Sequence, residues 1–140
     1  MKIVLDTNCL TPIVIPHSYC WDVWQAFIRG EYTLCVSTEI LMEYREILEQ
    51  QYHSPEFAEM VLNVITNAEN VELINPAFRF GLIDADKDDN KFVDCAITAN
   101  ATYIVSNDKH FDVLKHIDFP PVDVCTLHEF KNLLSHHMLE

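Results

Sequence analysis

Four carboxylates far apart in the chain, Asp6, Glu43, Asp94 and Asp108, are the residues best suited to act together chemically. Asp6 closes the short run Lys2-Ile3-Val4-Leu5, and Asp108 follows a second such run, Tyr103-Ile104-Val105-Ser106. Glu43 and Asp94 fall in segments with helical patterning. A fold that gathers strand ends and helix faces would make one acidic pocket of them. Like charges at contact distance repel, so such a pocket calls for divalent cations. Carboxylate oxygens select hard ions, Mg²⁺ or Mn²⁺ rather than zinc. One or two such ions suit hydrolysis of a phosphate ester.

The elements that must position these acids can be read from apolar patterning. Strands are expected at 2–5, 33–36, 71–74, 102–106 and 122–125. Helices are expected at 18–29, 38–51, 56–69, 90–101, 108–115 and 127–134. This alternation predicts an α/β fold with a parallel sheet covered by helices on both faces. The uninterrupted apolar run Ile3-Val4-Leu5 suits a strand buried on both sides. In open parallel sheets, ligands bind beyond the carboxyl ends of strands, where strand order reverses. If the first and fourth strands are neighbours, Asp6 and Asp108 share that rim.

Each acid has a competing explanation. In the helix 38–51, Ile40, Leu41, Tyr44, Ile47 and Leu48 define one apolar face. At about 100° per residue, Glu43 lies about 100° from the centre of that face, at its margin, while Glu39, Glu46 and Glu49 point to solvent. Asp88, Asp89 and Asn90 are natural caps for the helix 90–101. Capping leaves Asp94, a turn further in, unexplained and therefore a site candidate. Asp84 and Asp86 read as loop charges. Asn107 or Asp108 could cap the next helix, and Asp112, one turn on, is either a second-line ligand or a solvated charge. Asp6 is followed by Thr7 and Asn8, whose hydroxyl and amide could orient it, so it is a turn former or a site residue.

Composition narrows the class. The chain has 140 residues, enough for one domain over 1–135 with a real core, and residues 136–140 read as a disordered tail or a cloning remnant. Apolar residues make up 49 %, yet no run approaches the roughly 18 residues of a membrane span. The first residues enter a strand pattern directly, without a secretory signal, so a soluble cytoplasmic protein is expected. The net charge of −13, with only nine Lys and Arg, excludes a general DNA binder and is unfavourable for any polyanion. The five cysteines lack paired spacing and sit among apolar neighbours, which predicts small buried hydrophobes rather than a zinc or disulfide site. The seven histidines are scattered without ligand spacing.

Four segments in order resemble the PIN domain: Lys2-Ile3-Val4-Leu5-Asp6-Thr7-Asn8; Ile40 to Leu48 around Glu43; Asp88-Asp89-Asn90-Lys91-Phe92-Val93-Asp94-Cys95-Ala96; and Tyr103-Ile104-Val105-Ser106-Asn107-Asp108. The likeness spans residues 2 to about 134 and is nearest to the VapC-type toxins of toxin–antitoxin systems. It implies a three-layer α/β/α sandwich with a parallel sheet of four or five strands, and Mg²⁺- or Mn²⁺-dependent endoribonuclease activity through metal-activated water. By the family pattern Asp6, Glu43, Asp94 and Asp108 would be the catalytic and metal-binding acids, with Asn8 and Ser106 as polar supports. At the third motif Asp89, Asn90 and Asp94 compete, and the Phe-x-Asp spacing favours Asp94.

Two other classes compete. A PIN-like domain that binds RNA or protein without cutting would have no need of mutually repelling acids. An aspartyl-phosphate phosphatase or phospho-receiver would need an acid two residues after Asp6, where Asn8 stands, or a basic partner late in the chain, for which Lys109 is the only candidate. The expected partners are an RNA substrate and an antitoxin protein, with a homodimer as a further candidate and no membrane. Trp21, Trp24 and Phe27 form a helical stripe whose default explanation is core packing, and which could otherwise receive an antitoxin helix or a second subunit.

Overall fold

The computed structural model describes residues 1–118 and 120–139. Five strands, β1 (Lys2–Leu5), β2 (Thr33–Val36), β3 (Val71–Leu73), β4 (Tyr103–Val105) and β5 (Val124–Cys125), form one sheet in the order β3-β2-β1-β4-β5. Every pairing is parallel. Ile3, Val4 and Leu5 are each at most 1 % exposed. Successive strand residues face opposite sides, so both faces of β1 are covered. The expected α/β/α architecture is present, with β1 and β4 adjacent.

The helices are α1 (Thr7–Ile13), α2 (Trp21–Ile28), α3 (Thr38–Tyr52), α4 (Pro55–Asn67), α5 (Asn90–Ala99) and α6 (Leu127–Leu139). Short 3₁₀ segments cover Lys87–Asp89 and Lys109–His116. Polar residues set the junctions. The Ser37 hydroxyl accepts from the Ile40 amide at 3.2 Å and starts α3. His53 adopts the left-handed conformation (φ 51°) that stops it, after which Ser54 and Pro55 start α4. The aromatic stripe of α2 packs inward, with Trp24 and Phe27 buried and their rings 5.4 Å apart.

Three elements differ from expectation. α1 was not expected, because Pro12 and two threonines hide a helical pattern. Pro12 forgoes one helical bond near the end of a seven-residue helix, and complete burial of Cys9, Leu10 and Ile13 offsets that loss. The segment expected as a helix over 108–115 is 3₁₀, held by the buried Phe111 and Leu114. α6 runs past 134 to Leu139, with no Gly or Pro in it to stop the helix, and Glu140 lies outside the described residues.

Because the Ser37 cap satisfies an otherwise orphaned amide, Ser37→Ala should lower stability by about 1 kcal/mol. Urea unfolding would measure it, and an unchanged midpoint would show that the cap is dispensable.

Candidate metal centre

β2 and β3 extend the sheet to one side of β1, and β4 and β5 extend it to the other. Strand order therefore reverses between β1 and β4, the place where parallel sheets open a crevice. Asp6 and Asp108 follow these two strands. The Asp6 amide donates to the Val105 carbonyl at 3.0 Å, which ties the two strand ends together. The Ser106 hydroxyl donates to Asp6 Oδ2 at 2.8 Å and accepts from the Asp108 amide at 3.0 Å. One serine thus fixes a carboxylate on one strand and the backbone leading to a carboxylate on the next.

Asp6 is only 4 % exposed. Burial pushes its carboxyl up; the Ser106 hydroxyl and the Asn8 amide oppose this, and the charges of Asp108 and Glu43 push it further. Asn8 itself is exposed. Asp108 accepts from the His110 amide at 2.9 Å and so caps the 3₁₀ segment as well as facing the rim.

Glu43 stands at the margin of the buried face of α3, as helix geometry predicts. α3 is locked to the end of β1 by Tyr44, which is fully buried and whose hydroxyl donates to the Leu5 carbonyl. Both Glu43 oxygens have partners: the Thr7 hydroxyl donates to Oε2, and Lys91 Nζ lies 2.8 Å from Oε1.

The third motif divides. Asp89, 8 % exposed, has its carboxyl pushed up to about 6 by burial, against a hydrogen bond with His110 and with the charges of Asp86, Asp108 and Asp6. Asp89 therefore belongs to the same electrostatic cluster as Asp6 and Asp108. Asp94 is 1 % exposed and accepts from the Phe80 amide at 3.0 Å. Burial raises its carboxyl, and the charges acting on it are those of Arg79 and Glu39, not those of the rim acids. Five residues along a helix turn the side chain about 140° and carry it about 7.5 Å along the axis, so Asp89 and Asp94 cannot serve one pocket equally. Asn90 bonds both the amide and the carbonyl of Ile83, each at 2.9 Å. Asn90 and Asp94 together fasten the segment 80–83 to α5, and between them Gly81 takes a left-handed φ of 62°.

His110, which carried no ligand spacing in the sequence, stands beside this cluster. Its Nδ1 is 3.3 Å from both Asp89 Oδ2 and Asp108 Oδ1. Asp86, Asp89 and His110 each offer a ligand atom within 4.8 Å of the others. Asp112 is exposed, lies 3.3 Å from Lys115 and lines a cavity together with Ser106 and Asp108. The cysteines are unpaired, and burial pushes the Cys9 thiol up to about 12, so it is an unreactive core group. The donor set at the rim is rich in carboxylate oxygen, and two of its carboxyls are held above their ordinary range. A divalent cation fits such a set, since it would relieve both burial and repulsion.

Among the described residues no helix is long and apolar enough to cross a membrane. None of the curated proteins matches the chain. Among solved structures, a chain of VapBC2 from Rickettsia felis, crystallised bound to a DNA fragment from their promoter, shares the fold with a TM-score of 0.60. The two are 19 % identical, and the match covers 90 % of this chain and 98 % of the other. The family model of the PIN domain matches residues 2–110. The chain belongs to the PIN domain family.

Proposed function

We propose that this PIN domain is a divalent-metal-dependent endoribonuclease and the toxin of a toxin–antitoxin pair, working in the cytoplasm. The observation that carries this reading is the shared electrostatic cluster of Asp6, Asp89 and Asp108 at the β1/β4 reversal, with Glu43 acting on the same Asp6 carboxyl. In this reading Asp89 takes the ligand role that the spacing Phe-x-Asp assigned to Asp94, and Asp94 is the anchor of segment 80–83. The fold neighbour was solved as VapBC2 on promoter DNA, which supports a protein partner for this chain as well.

Asp6, Asp89 and Asp108 would hold Mg²⁺ or Mn²⁺, with Glu43 alongside. When bound, such an ion supplies positive charge that favours deprotonation of water and stabilises charge building on a phosphodiester. Ser106 keeps Asp6 turned toward the pocket, and Thr7 does the same for Glu43. A free lone pair on Glu43 can accept the proton of the attacking water. In-line attack on phosphorus would leave a 5′-phosphate and a 3′-hydroxyl. The second reading is a PIN-like domain that binds RNA or protein without cutting; the net charge of −13, unfavourable for a polyanion, favours its protein-binding form.

An RNA cleavage assay with Mg²⁺ or Mn²⁺ separates the two. Asp6→Asn and Asp89→Asn should each lower cleavage at least about 100-fold. Asp94→Asn should retain most activity per folded molecule and lower the melting temperature instead. Equal cleavage by wild type and Asp6→Asn would remove Asp6 from the mechanism. Loss of activity in a fully folded Asp94→Asn would restore Asp94 to the ligand set.

The raised Asp89 carboxyl also predicts a pH dependence. Its folded value is about 6 against an ordinary 3.8, so the proton is held more tightly in the folded chain. The associated stability is fully present below about 3.8 and is lost as pH rises through about 6. Metal-free protein should therefore lose on the order of 2–3 kcal/mol from this group between pH 4 and pH 7. Asp89→Asn should flatten that part of the profile, and millimolar Mn²⁺ should restore wild-type stability at pH 7. Superimposable denaturation profiles for the two proteins would refute the Asp89 assignment.

A further inference from the structure

The two oxygens of Glu43 have different partners, and one of them is a cation. Lys91 Nζ lies 2.8 Å from Oε1, with side-chain exposures of 14 % for the lysine and 25 % for the glutamate. The other Lys–carboxylate pairs lie far more in solvent: Lys2–Glu72 at 43 % and 39 %, Lys115–Asp112 at 60 % and 59 %. Exposed pairs of that sort restrain little, whereas a largely desolvated pair fixes both partners. The lysine is also held from behind. Its ammonium sits 5.7 Å from the Phe92 ring centroid, and Phe92 is 1 % exposed and packed against Phe111. Lys91 lies two residues beyond Asp89 on the sequence, so the start of α5 delivers an acid to the Asp6–Asp108 cluster from its N-cap position and a cation to Glu43 from its first turn.

Resting on the metal-dependent reading above, we propose that Lys91 is a resident cation of the acidic pocket, a positioning residue that withholds Glu43 from direct metal ligation. Asp6, Asp89 and Asp108 are then the set that holds a divalent ion. Glu43, gripped by Lys91 and by the Thr7 hydroxyl, keeps one lone pair on each oxygen for water or substrate. A cation already seated on Glu43 also lowers the repulsion it exerts on Asp6, which lets the pocket form before any ion arrives. The side chain works through Glu43 and has no reacting atom of its own.

The test is a double-mutant cycle read by Mn²⁺ binding, using calorimetry and the electron paramagnetic resonance signal of free Mn²⁺. Lys91→Met should free Glu43 as a ligand and raise Mn²⁺ affinity about tenfold or add a second bound ion, while lowering the metal-free melting temperature. In a Glu43→Gln background the same change should have no effect on Mn²⁺ binding. Lys91→Arg, which keeps the charge, should bind Mn²⁺ as wild type does. Unchanged affinity and stoichiometry in Lys91→Met, or equal changes with and without Glu43, would overturn the proposal. Should wild type bind no Mn²⁺ while Lys91→Met binds it, the nuclease reading fails and the lysine stands as the pocket's own cation. Absence of binding in both would overturn the two together.

Discussion

Carboxylates gathered at the end of a buried sheet repel one another, and the surrounding structure is arranged to hold them there regardless. Asp6 cannot retreat, because β1 is buried on both faces and its end is bonded to β4 through the Asp6 amide and the Val105 carbonyl. Glu43 cannot retreat, because Tyr44 fastens the adjoining turn of α3 to Leu5. Donors then meet each acid in turn: Ser106 for Asp6, Thr7 and Lys91 for Glu43, His110 for Asp89 and Asp108. Natural sequences break the rules of local consistency mainly where function requires it, and the stable frame around the site sustains the conflict.

The N-cap and first half of α5 show how closely that frame and the site are joined. Asp89 faces the rim, Asn90 grips Ile83, Lys91 reaches Glu43, and Asp94 holds the Phe80 amide. At about 100° per residue, neighbouring side chains on a helix point in different directions, so one short polar run can do four tasks. Burial alone does not distinguish a ligand from an anchor: Asp94 is more buried than Asp89. The proposed assignment of Asp89 as ligand and Asp94 as anchor rests on their partners. Asp94 is met by a backbone amide, a neutral donor that satisfies a structural carboxylate, whereas Asp89 is surrounded by other acids and a histidine.

Much of this was legible in the sequence because it depends on short-range pattern. Runs such as Ile3-Val4-Leu5 and Tyr103-Ile104-Val105 announce strands, and the carboxyl-end rule then puts Asp6 and Asp108 together once β1 and β4 pair. Glu43 was separable from Glu39 and Glu46 by angle alone, and those two are exposed. What was not legible depends on where irregular chain comes to rest. α1 is hidden by Pro12, and only the burial of Cys9, Leu10 and Ile13 reveals why it forms. The proposed preference for Asp89 over Asp94 turns on segment 80–83, which has no periodicity to read and whose amides bond Asn90 and Asp94. Asp89, standing where the 3₁₀ turn enters α5, had one usable signal: helix starts tend to face the rim of a parallel sheet. His110 and Lys91 are single residues whose meaning comes only from neighbours remote in sequence.

A chain of net charge −13 is a poor long-range attractor of a polyanion, yet the charge that matters for a bound strand is local. At about 0.1 M salt, exposed charges more than about 10 Å away are largely screened. Of the nine Lys and Arg, Arg79, Lys87 and Lys91 line one cavity of about 250 Å³ whose wall also carries Asp94. Two of these cations are already committed, Arg79 to Glu39 at 2.6 Å and Lys91 to Glu43 at 2.8 Å. The cleft beside the acids is therefore near electrical balance in a molecule that is otherwise strongly negative. A divalent ion held by Asp6, Asp89 and Asp108 would cancel most of the negative charge that those three acids add to that neighbourhood. In the proposed reading, a bound ion would thus lower the electrostatic barrier to a phosphodiester at the rim itself, while the net charge of the whole chain stays unfavourable to a polyanion.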